Sequence, residues 1–140
     1  MRFSGRIYKD DKFWLAEVPM LDAMIQGCTR VEALAMIENL LESLVYRSGC
    51  TVTARFKNED LEVSSSDPHA LISLSLRRQR EKSGLSLSEV AVRLGAKSHN
   101  AYARYEQGTS LPSLDKLTEL YRAVSPGQDL VLHESRFTQR

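Results

Sequence analysis

The sequence is interrupted near its middle by the serine run 64–66 and the Asp67-Pro68 pair that follows it. Serines add little to a hydrophobic core, and the residue before a proline is disfavoured in a helix, so a folded element ends here. Proline suits the first turn of a new helix, for which Asp67 would be the N-cap. The break predicts two small domains in the 140-residue chain.

The two sides of this break carry opposite net charge. Residues 1–66 contain 8 Lys/Arg against 10 Asp/Glu, and residues 67–140 contain 11 against 8 together with all three histidines. The net charge of +1 therefore hides an acidic half and a basic half. A basic half suits the phosphate backbone of nucleic acid, and an acidic half suits a basic protein partner.

The composition excludes several classes of protein. A chain that is 42% hydrophobic and 26% charged is typical of globular proteins. It has no apolar run of membrane-spanning length and no signal-peptide pattern, so we expect a cytoplasmic protein without a membrane partner. Cys28 and Cys50 flank a predicted helix about 27 Å long, which is too far for a disulfide. We expect reduced thiols, no metal site and no cofactor.

Hydrophobic periodicity in the first half predicts an α+β fold of order β-β-β-α-β, a small sheet covered by one helix. Thr29 and Glu32 form the pattern of a capping box at the start of the helix, and Gly49 is expected to end it. Asp10-Asp11 is expected to turn the first hairpin. The predicted elements are strands at 2–8, 12–18 and 22–26, a helix at 30–47 and a strand at 51–57.

The helix is predicted to be amphipathic. At 100° per residue its apolar residues share one face, and its acidic residues lie on the opposite, solvent-facing side. The apolar face contains Ala33, Leu34, Ile37, Leu40, Leu41, Leu44 and Val45, and the polar face contains Glu32, Glu38, Asn39, Glu42 and Ser43.

The first half combines a hairpin, a proline-containing loop, a Gly-x-Thr turn and a helix that opens on Glu-Ala, within Tyr8–Pro19 and Gln26–Leu34. In these features it resembles the N-terminal domain of HicB-type antitoxins. Many members carry Pro-Gly-Cys in the loop, where this chain has residues 21–24, Leu-Asp-Ala-Met. The resemblance implies a partial ribonuclease-H-like sheet that lacks nuclease activity and binds a small, basic HicA-like toxin.

We expect aromatic and acidic side chains of this half to contact the toxin. Phe13 and Trp14 are neighbours in a predicted strand and so point to opposite faces, which leaves one of them on the less buried side. The expected contact residues are Trp14, Glu17, Asp22, Glu38 and Glu42. A different interpretation makes Asp10, Asp11, Glu17 and Asp22 the carboxylates of a metal-dependent nuclease. Against it, the first 66 residues contain no histidine and no glycine-rich phosphate loop.

The second half is predicted to be all-helical, because helix caps and stops recur along it. One helix runs from Pro68 to Lys82, and Ser86 to Glu89 forms a second capping box. Ser98 and Pro112-Ser113 are expected to start two further helices. The expected stops are Ser83-Gly84, Gly95, Gly108 and Ser125-Pro126-Gly127.

The stretch from Leu76 to Val124 resembles the helix-turn-helix domain of phage repressors. The matching residues are Arg77-Arg78, Gly84-Leu85-Ser86, Glu89-Val90-Ala91, Arg93-Leu94-Gly95, Arg104-Tyr105-Glu106-Gln107-Gly108 and Pro112-Ser113-Leu114. In such domains the second helix of the motif enters the major groove. The resemblance implies base contacts from His99, Asn100 and Arg104, and phosphate contacts from Arg78 and Lys97.

This chain departs from the repressor pattern in two places. Leu87 stands where the family often has a phosphate-binding glutamine, so Ser86 or Ser88 would have to substitute for it. The interval from Gly95 to Gly108 contains one residue more than usual, which places an insertion in the turn near Lys97. Ser98 is a further candidate DNA contact, although its position favours capping the helix over touching a base.

Two apolar features of this half have more than one interpretation. Tyr102 and Tyr105 could stack on bases, but their spacing of three residues favours packing within the bundle. Leu130-Val131-Leu132 could form a short pairing strand for dimerisation or simply cover the bundle.

These expectations combine into one functional hypothesis. Residues 1–64 form a toxin-binding domain, 65–68 a linker, 69–128 a DNA-binding domain and 129–140 a tail. The chain would be an antitoxin, not an enzyme, that neutralises a toxin and represses its own operon as a homodimer or higher homo-oligomer on operator DNA. The alternative is a stand-alone regulator whose first domain senses a ligand or dimerises.

Overall fold

The computed structural model describes residues 1–137, which form two compact units. The first unit contains residues 1–71 and 133–137, and the second contains residues 72–132. The elements of the first unit are β1 Phe3–Asp10, β2 Phe13–Val18, a 3-10 turn Pro19–Leu21, β3 Ala23–Gly27, α1 Arg30–Leu44, β4 Val52–Lys57 and β5 Asp60–Ser65. The helices that follow are α2 Pro68–Lys82, α3 Leu87–Arg93, α4 His99–Gln107 and α5 Leu114–Val124.

The first unit is a five-stranded antiparallel sheet of order β3-β2-β1-β5-β4. The predicted hairpin of β1 and β2 is present, with Asp10 paired to Phe13. Its turn is Asp11-Lys12, one residue later than predicted, because Asp11 adopts the left-handed conformation (φ 55°) that such tight turns require. An α+β unit followed by a helical unit is therefore confirmed.

The predicted strand order is wrong in one respect, because a fifth strand lies between β1 and β4. Asn58, at φ 56°, starts a tight turn after which Asp60 pairs with Lys57. Ser65, assigned to the linker 65–68, is the last residue of β5, and Pro68 is already the first residue of α2. The contacts divide the chain after Leu71 instead.

Glu62 on this inserted strand is buried, with 4% of its surface exposed. Its carboxylate accepts hydrogen bonds from Ser135 Oγ (2.5 Å), the Arg136 backbone N–H (2.9 Å) and Arg2 Nη1 (3.0 Å). Burial alone would raise the pKa of Glu62, but these donors outweigh it and hold the pKa below its ordinary value. Residues 133–137, part of the predicted tail, thereby belong to the first unit.

Helix α1 covers one face of the sheet through Ala33, Ile37 and Leu41, all fully buried. Thr29 caps it as predicted, accepting a hydrogen bond from the Glu32 N–H at 3.0 Å. Glu32 reaches back to the N–H of Cys28 (2.9 Å) rather than to that of Thr29. The helix ends at Leu44 instead of continuing to Arg47.

Glu38 and Glu42 do not lie on a solvent-facing side of α1 as predicted, because both are half-buried beside strand β4. Glu38 Oε2 accepts a hydrogen bond from the Ala54 N–H, and Glu42 Oε1 accepts one from the Val52 N–H, both at 2.8 Å. Strand β4 is an edge of the sheet, so these N–H groups have no neighbouring strand. Glu38 and Glu42, four residues apart on the helix, thus satisfy outward N–H groups of this sheet edge.

The adjacent aromatics of β2 point to opposite faces, as expected. Phe13 is 40% exposed. Trp14 is half-buried beneath the guanidinium of Arg30, whose Cζ lies 4.5 Å from the Trp14 ring and 5.0 Å from the Phe56 ring. Arg30 therefore joins the start of α1 to two strands by cation–π contacts.

We predict that removing the edge carboxylates destabilises the first unit. Glu38→Ala and Glu42→Ala should each lower the free energy of unfolding by about 1–3 kcal/mol, since each leaves a backbone N–H without its acceptor. Urea titration followed by tryptophan fluorescence measures this unit alone, because Trp14 is the single tryptophan of the chain.

Two variants control for other effects of substitution on α1. Glu42→Gln should lose less stability than Glu42→Ala, because its amide oxygen still accepts the hydrogen bond. Asn39→Ala, at an exposed position of the same helix, should leave the unfolding curve unchanged or slightly more stable. Equal losses at positions 39 and 42 would contradict the edge role.

Candidate DNA-binding site

The second unit is a helical bundle whose helix ends follow the predicted caps. The capping box is complete, since Ser86 Oγ accepts from the Glu89 N–H and Glu89 Oε1 accepts from the Ser86 N–H. Gly95 and Gly108 adopt positive φ at the ends of α3 and α4. The buried apolar residues of this unit are Ile72, Leu74, Leu76, Val90, Ala91, Tyr102, Ala103, Leu117, Leu120, Tyr121, Ala123 and Val124.

Helices α3 and α4 form the two helices of the predicted motif. The turn between them, residues 94–98, is closed by backbone hydrogen bonds from the Gly95 N–H to Val92 O (3.0 Å) and from the Ala96 N–H to Ala91 O (2.9 Å). These bonds satisfy carbonyl groups at the C-terminal end of α3. The turn also contains Lys97, whose side chain is exposed.

Helix α4 has one buried and one exposed side. Tyr102, Ala103 and Glu106 are buried, whereas His99, Asn100 and Arg104 are exposed. The predicted base-contacting residues thus lie at the accessible N-terminal end and outer face of this helix. Ser98 occupies the N-cap position, but its side chain makes no capping hydrogen bond.

The residues predicted to contact phosphates are more dispersed. Ser88 is exposed in the first turn of α3, and the Ser86 hydroxyl already accepts the capping hydrogen bond. Arg78 lies on α2 and is half-buried. Lys97 and Ser88 are therefore the members of this set that are exposed and hold no capping hydrogen bond.

An ion pair that sequence reasoning missed holds α4 in place. Arg80 on α2 and Glu106 on α4 form two hydrogen bonds, from Nε to Oε2 at 2.7 Å and from Nη2 to Oε1 at 3.0 Å. Arg80 Nη1 also donates to Leu85 O at 3.0 Å. One guanidinium therefore ties together α2, the loop before α3 and the buried side of α4.

The surroundings of this pair favour its charged form. Glu106 is 6% exposed, and its hydrogen bonds raise the pKa of Arg80 above the ordinary value. Burial, and next the nearby Glu106 charge, raise the pKa of Tyr102, so its phenol stays protonated. A sequence signal existed, because Glu106 follows Tyr102 by four residues and so falls on the apolar side of α4, where a charge needs a partner.

Two further contacts fix the end of α5. Ser83 Oγ donates to Val124 O at 2.7 Å, and Arg93 Nη1 donates to Ala123 O at 3.3 Å. Cationic and hydroxyl donors suit helix C-terminal carbonyls, which have no partner within the helix. Burial raises the pKa of Tyr121 on α5 to about 12.

The structure separates the alternatives left open for the tyrosines of α4 and for residues 130–132. Tyr102 is 1% exposed, which confirms that it packs in the bundle, and Tyr105 is half-buried. Residues 130–132 form no strand, and Val131 and Leu132 are 81% and 89% exposed. Val131 and Leu132 therefore do not cover the bundle, whereas Leu130 is half-buried.

The residues predicted to bind a toxin do not form one patch in the first unit. Trp14 lies on the α1 side of the sheet, and Glu17, three residues along the same strand, points to the opposite side. Asp22, at φ 46°, links the 3-10 turn to β3. Glu38 and Glu42 bind the β4 edge.

The described residues 1–137 contain no group of three or more His, Cys, Asp or Glu side chains placed to hold a metal ion. The four carboxylates considered for a nuclease, Asp10, Asp11, Glu17 and Asp22, are therefore not clustered. Within the same part of the chain, no helix is long and apolar enough to cross a membrane.

We predict that breaking the buried ion pair destabilises the second unit. Glu106→Ala should lower its free energy of unfolding by about 3 kcal/mol, because it leaves the Arg80 charge largely unpaired. Far-UV circular dichroism follows mainly the second unit, which contains most of the helical residues, while Trp14 fluorescence should show the first unit unchanged.

Two variants test whether the loss comes from an unpaired buried charge. Arg80→Leu/Glu106→Leu should recover part of the stability, since no charge is then left alone. Arg122→Ala removes an exposed pair with Asp129 (3.7 Å) and should cost less than about 0.5 kcal/mol. A loss at Arg122 as large as that at Glu106 would contradict the role given to the buried pair.

Comparison with known proteins agrees with this geometry. No curated protein matches the chain. Residues 72–133 match the family model of a helix-turn-helix domain, a range that coincides with the second unit to within one residue. This part of the chain is therefore similar to helix-turn-helix domains, which supports sequence-specific DNA binding and a role in transcription regulation.

Proposed function

We propose that the chain is a cytoplasmic, non-enzymatic antitoxin that represses its own operon. The second unit binds operator DNA, and the first unit binds and neutralises a small, basic HicA-like toxin. The observation that carries the proposal is the exposed outer side of α4, whose inner side the Arg80–Glu106 pair holds in a helix-turn-helix matched by its family model.

In this proposal α4 lies in the major groove. Asn100 and Arg104 are one turn apart on its exposed side, so both reach base edges, where an amide suits adenine and a guanidinium suits guanine. His99 lies beside them at the first helical position. Lys97, Ser88 and the N-terminal N–H groups of α4 contact phosphates, which position the helix without reading sequence.

The net charge of +3 on residues 67–140 is modest for a DNA-binding half. Sequence-independent attraction is then weak, and tight binding needs two half-sites occupied by a dimer. We therefore propose a homodimer, or a higher homo-oligomer, on a palindromic operator.

The toxin-binding role is supported by the acidic first half and by its resemblance to HicB-type antitoxins. Opposite charge favours the encounter with a basic toxin. Glu17 and Asp22 are proposed as principal acidic contacts, and Trp14, half-buried beneath Arg30, as an aromatic contact. Glu38 and Glu42 remain candidates only where the toxin reaches the β4 edge, because their carboxylates already bind backbone there.

A second candidate is a regulator without a toxin, whose first unit dimerises. Two observations favour it: the expected toxin contacts are spread over both sides of the sheet, and one sheet edge carries backbone groups without partners among the described residues. The two candidates share DNA binding and differ in whether a second protein is bound.

Operator binding is tested by selecting duplexes from a random pool and measuring the affinity of variants for the selected site. Asn100→Ala and Arg104→Ala should each weaken specific binding by about 1–3 kcal/mol and relax the base preference at one position. Binding to unrelated duplex should change little, because the phosphate contacts remain.

Lys97→Ala should behave differently. It should weaken binding to all duplexes alike and reduce the slope of log K against log salt by about 1. Arg122→Ala is the matched control for Arg104→Ala, since it removes an exposed arginine of α5. Wild-type protein that selects no sequence, or equal effects at 104 and 122, would refute the assignment.

Toxin neutralisation is tested by co-expression with the product of the small reading frame adjacent to the gene. Wild-type chain should relieve growth arrest and co-purify with that product. Glu17→Lys/Asp22→Lys should reduce both, because it reverses the charge that attracts the basic partner. Glu59→Lys, a single charge reversal at an exposed site of the β4–β5 turn, should reduce neither.

The result also separates the two candidates. Failure of the wild-type chain to bind the product or to relieve arrest would exclude the antitoxin role. Retained binding to selected operator DNA in that case would leave the stand-alone regulator.

A further inference from the structure

The two edges of the sheet differ in how their backbone groups are satisfied. On the β4 edge, the outward N–H groups of Val52 and Ala54 donate to Glu42 and Glu38. These bonds occupy the positions that an added strand would need. Strand β3 is the other edge.

The strand registers decide which groups of β3 point outward. Backbone groups of an antiparallel strand alternate between its two sides, and the hydrogen bond from the Ile7 N–H to Glu59 O sets the phase of this alternation across the sheet. The N–H and C=O groups of Met24 and Gln26 then point away from β2. Within the described residues 1–137, these outward groups have no hydrogen-bond partner.

Strand β3 also lacks the devices that usually protect an edge. Natural edge strands carry lysines, prolines or bulges that prevent pairing with another chain. The sequence of β3, Ala-Met-Ile-Gln-Gly, has no charge and no proline, and all its residues pair regularly with β2. Met24 is 59% exposed, which leaves apolar surface beside the open backbone groups.

We infer that β3 is a dimer interface, where it pairs antiparallel with β3 of a second copy about a two-fold axis through Ile25. This register places Met24 opposite the partner's Gln26, and the two residues exchange both backbone hydrogen bonds. The two-fold axis repeats the exchange on the other side of Ile25. The two sheets become one continuous sheet across the dimer.

The charges near β3 fit a second copy of the chain. Every pair opposed in this register is uncharged, and the nearest acid, Asp22, falls opposite the partner's Cys28, so no like charges meet. A strand of the β4 type would instead bring Arg55 and Lys57 into the contact. The interface is therefore electrostatically compatible with self-pairing at β3.

This dimer adds to the proposed function. Its role in operator binding rests on the proposed function, whereas the β3–β3 contact itself does not. Helix-turn-helix units read two half-sites of a palindrome when a two-fold axis relates them. A β3 dimer supplies that axis through the first unit. It also limits the assembly to two copies, because the outer edge of each copy is then β4, where Glu42 and Glu38 already bind the outward N–H groups of Val52 and Ala54.

The test uses sedimentation equilibrium of the full chain. Wild-type protein should be a dimer. Met24→Glu/Gln26→Glu should weaken the dimer about tenfold or more, since glutamate then faces glutamate on both sides of the axis. Met24→Lys/Gln26→Glu should restore the dimer towards wild type, because the introduced lysine of one copy faces the introduced glutamate of the other.

Control variants separate pairing from folding. Thr53→Glu adds a charge at an exposed position of the blocked β4 edge and should leave the dimer unchanged. Gln26→Pro removes only an outward N–H, so it should dissociate the dimer while Trp14 fluorescence and the unfolding curve stay close to wild type.

A monomeric wild-type chain, larger open-ended assemblies, or equal dissociation constants for the two charged double variants would overturn the interface. Failure of the proposed function has a separate signature. In that case the dimer responds to the β3 variants as expected, but wild-type protein selects no DNA sequence.

Discussion

The DNA-binding unit depends on one buried ion pair, between Arg80 and Glu106. A recognition helix must present polar side chains to DNA on one side and stay fixed by its other side. In α4 the fixed side includes the carboxylate of Glu106, which is 6% exposed. The Arg80 guanidinium that neutralises this carboxylate also donates to Leu85 O, ahead of α3. The Arg80–Glu106 pair therefore sets where Asn100 and Arg104 lie, although neither residue belongs to that pair.

The first unit depends on a related device, in which carboxylates satisfy backbone groups. Glu38 and Glu42 close the β4 edge, and Glu62 gathers donors from Arg2 and residues 135–136. In each case a carboxylate is held by hydrogen bonds within the first unit. Not all of the acidic side chains of this half are therefore available to a basic partner. The exposed acidic residues of this half lie at the β1–β2, β2–β3 and β4–β5 connections and in the first turn of α1.

Local patterns predicted the helices well, because caps and stops depend on residues within one turn. The bounds of α2 are those expected, and the capping box at Ser86 is complete. The strands were harder. Strand β5 was missed because Glu62 interrupts its apolar pattern and its last residues are serines, yet the strand is buried between two neighbours. Its burial depends on donors from the far end of the chain.

The sequence by itself determined that the chain has two halves, that the second is a helix-turn-helix, and which side of α4 carries the polar residues. Each of these follows from short-range periodicity, capping and composition. Only the tertiary structure decided which charged side chains are paired or hydrogen-bonded within the protein. Arg80 and Glu106 are 26 residues apart, and Glu62 and Ser135 are 73 apart, and no local rule pairs residues at such separations. The difference between the two sheet edges has the same cause, since it depends on where α1 lies against the sheet.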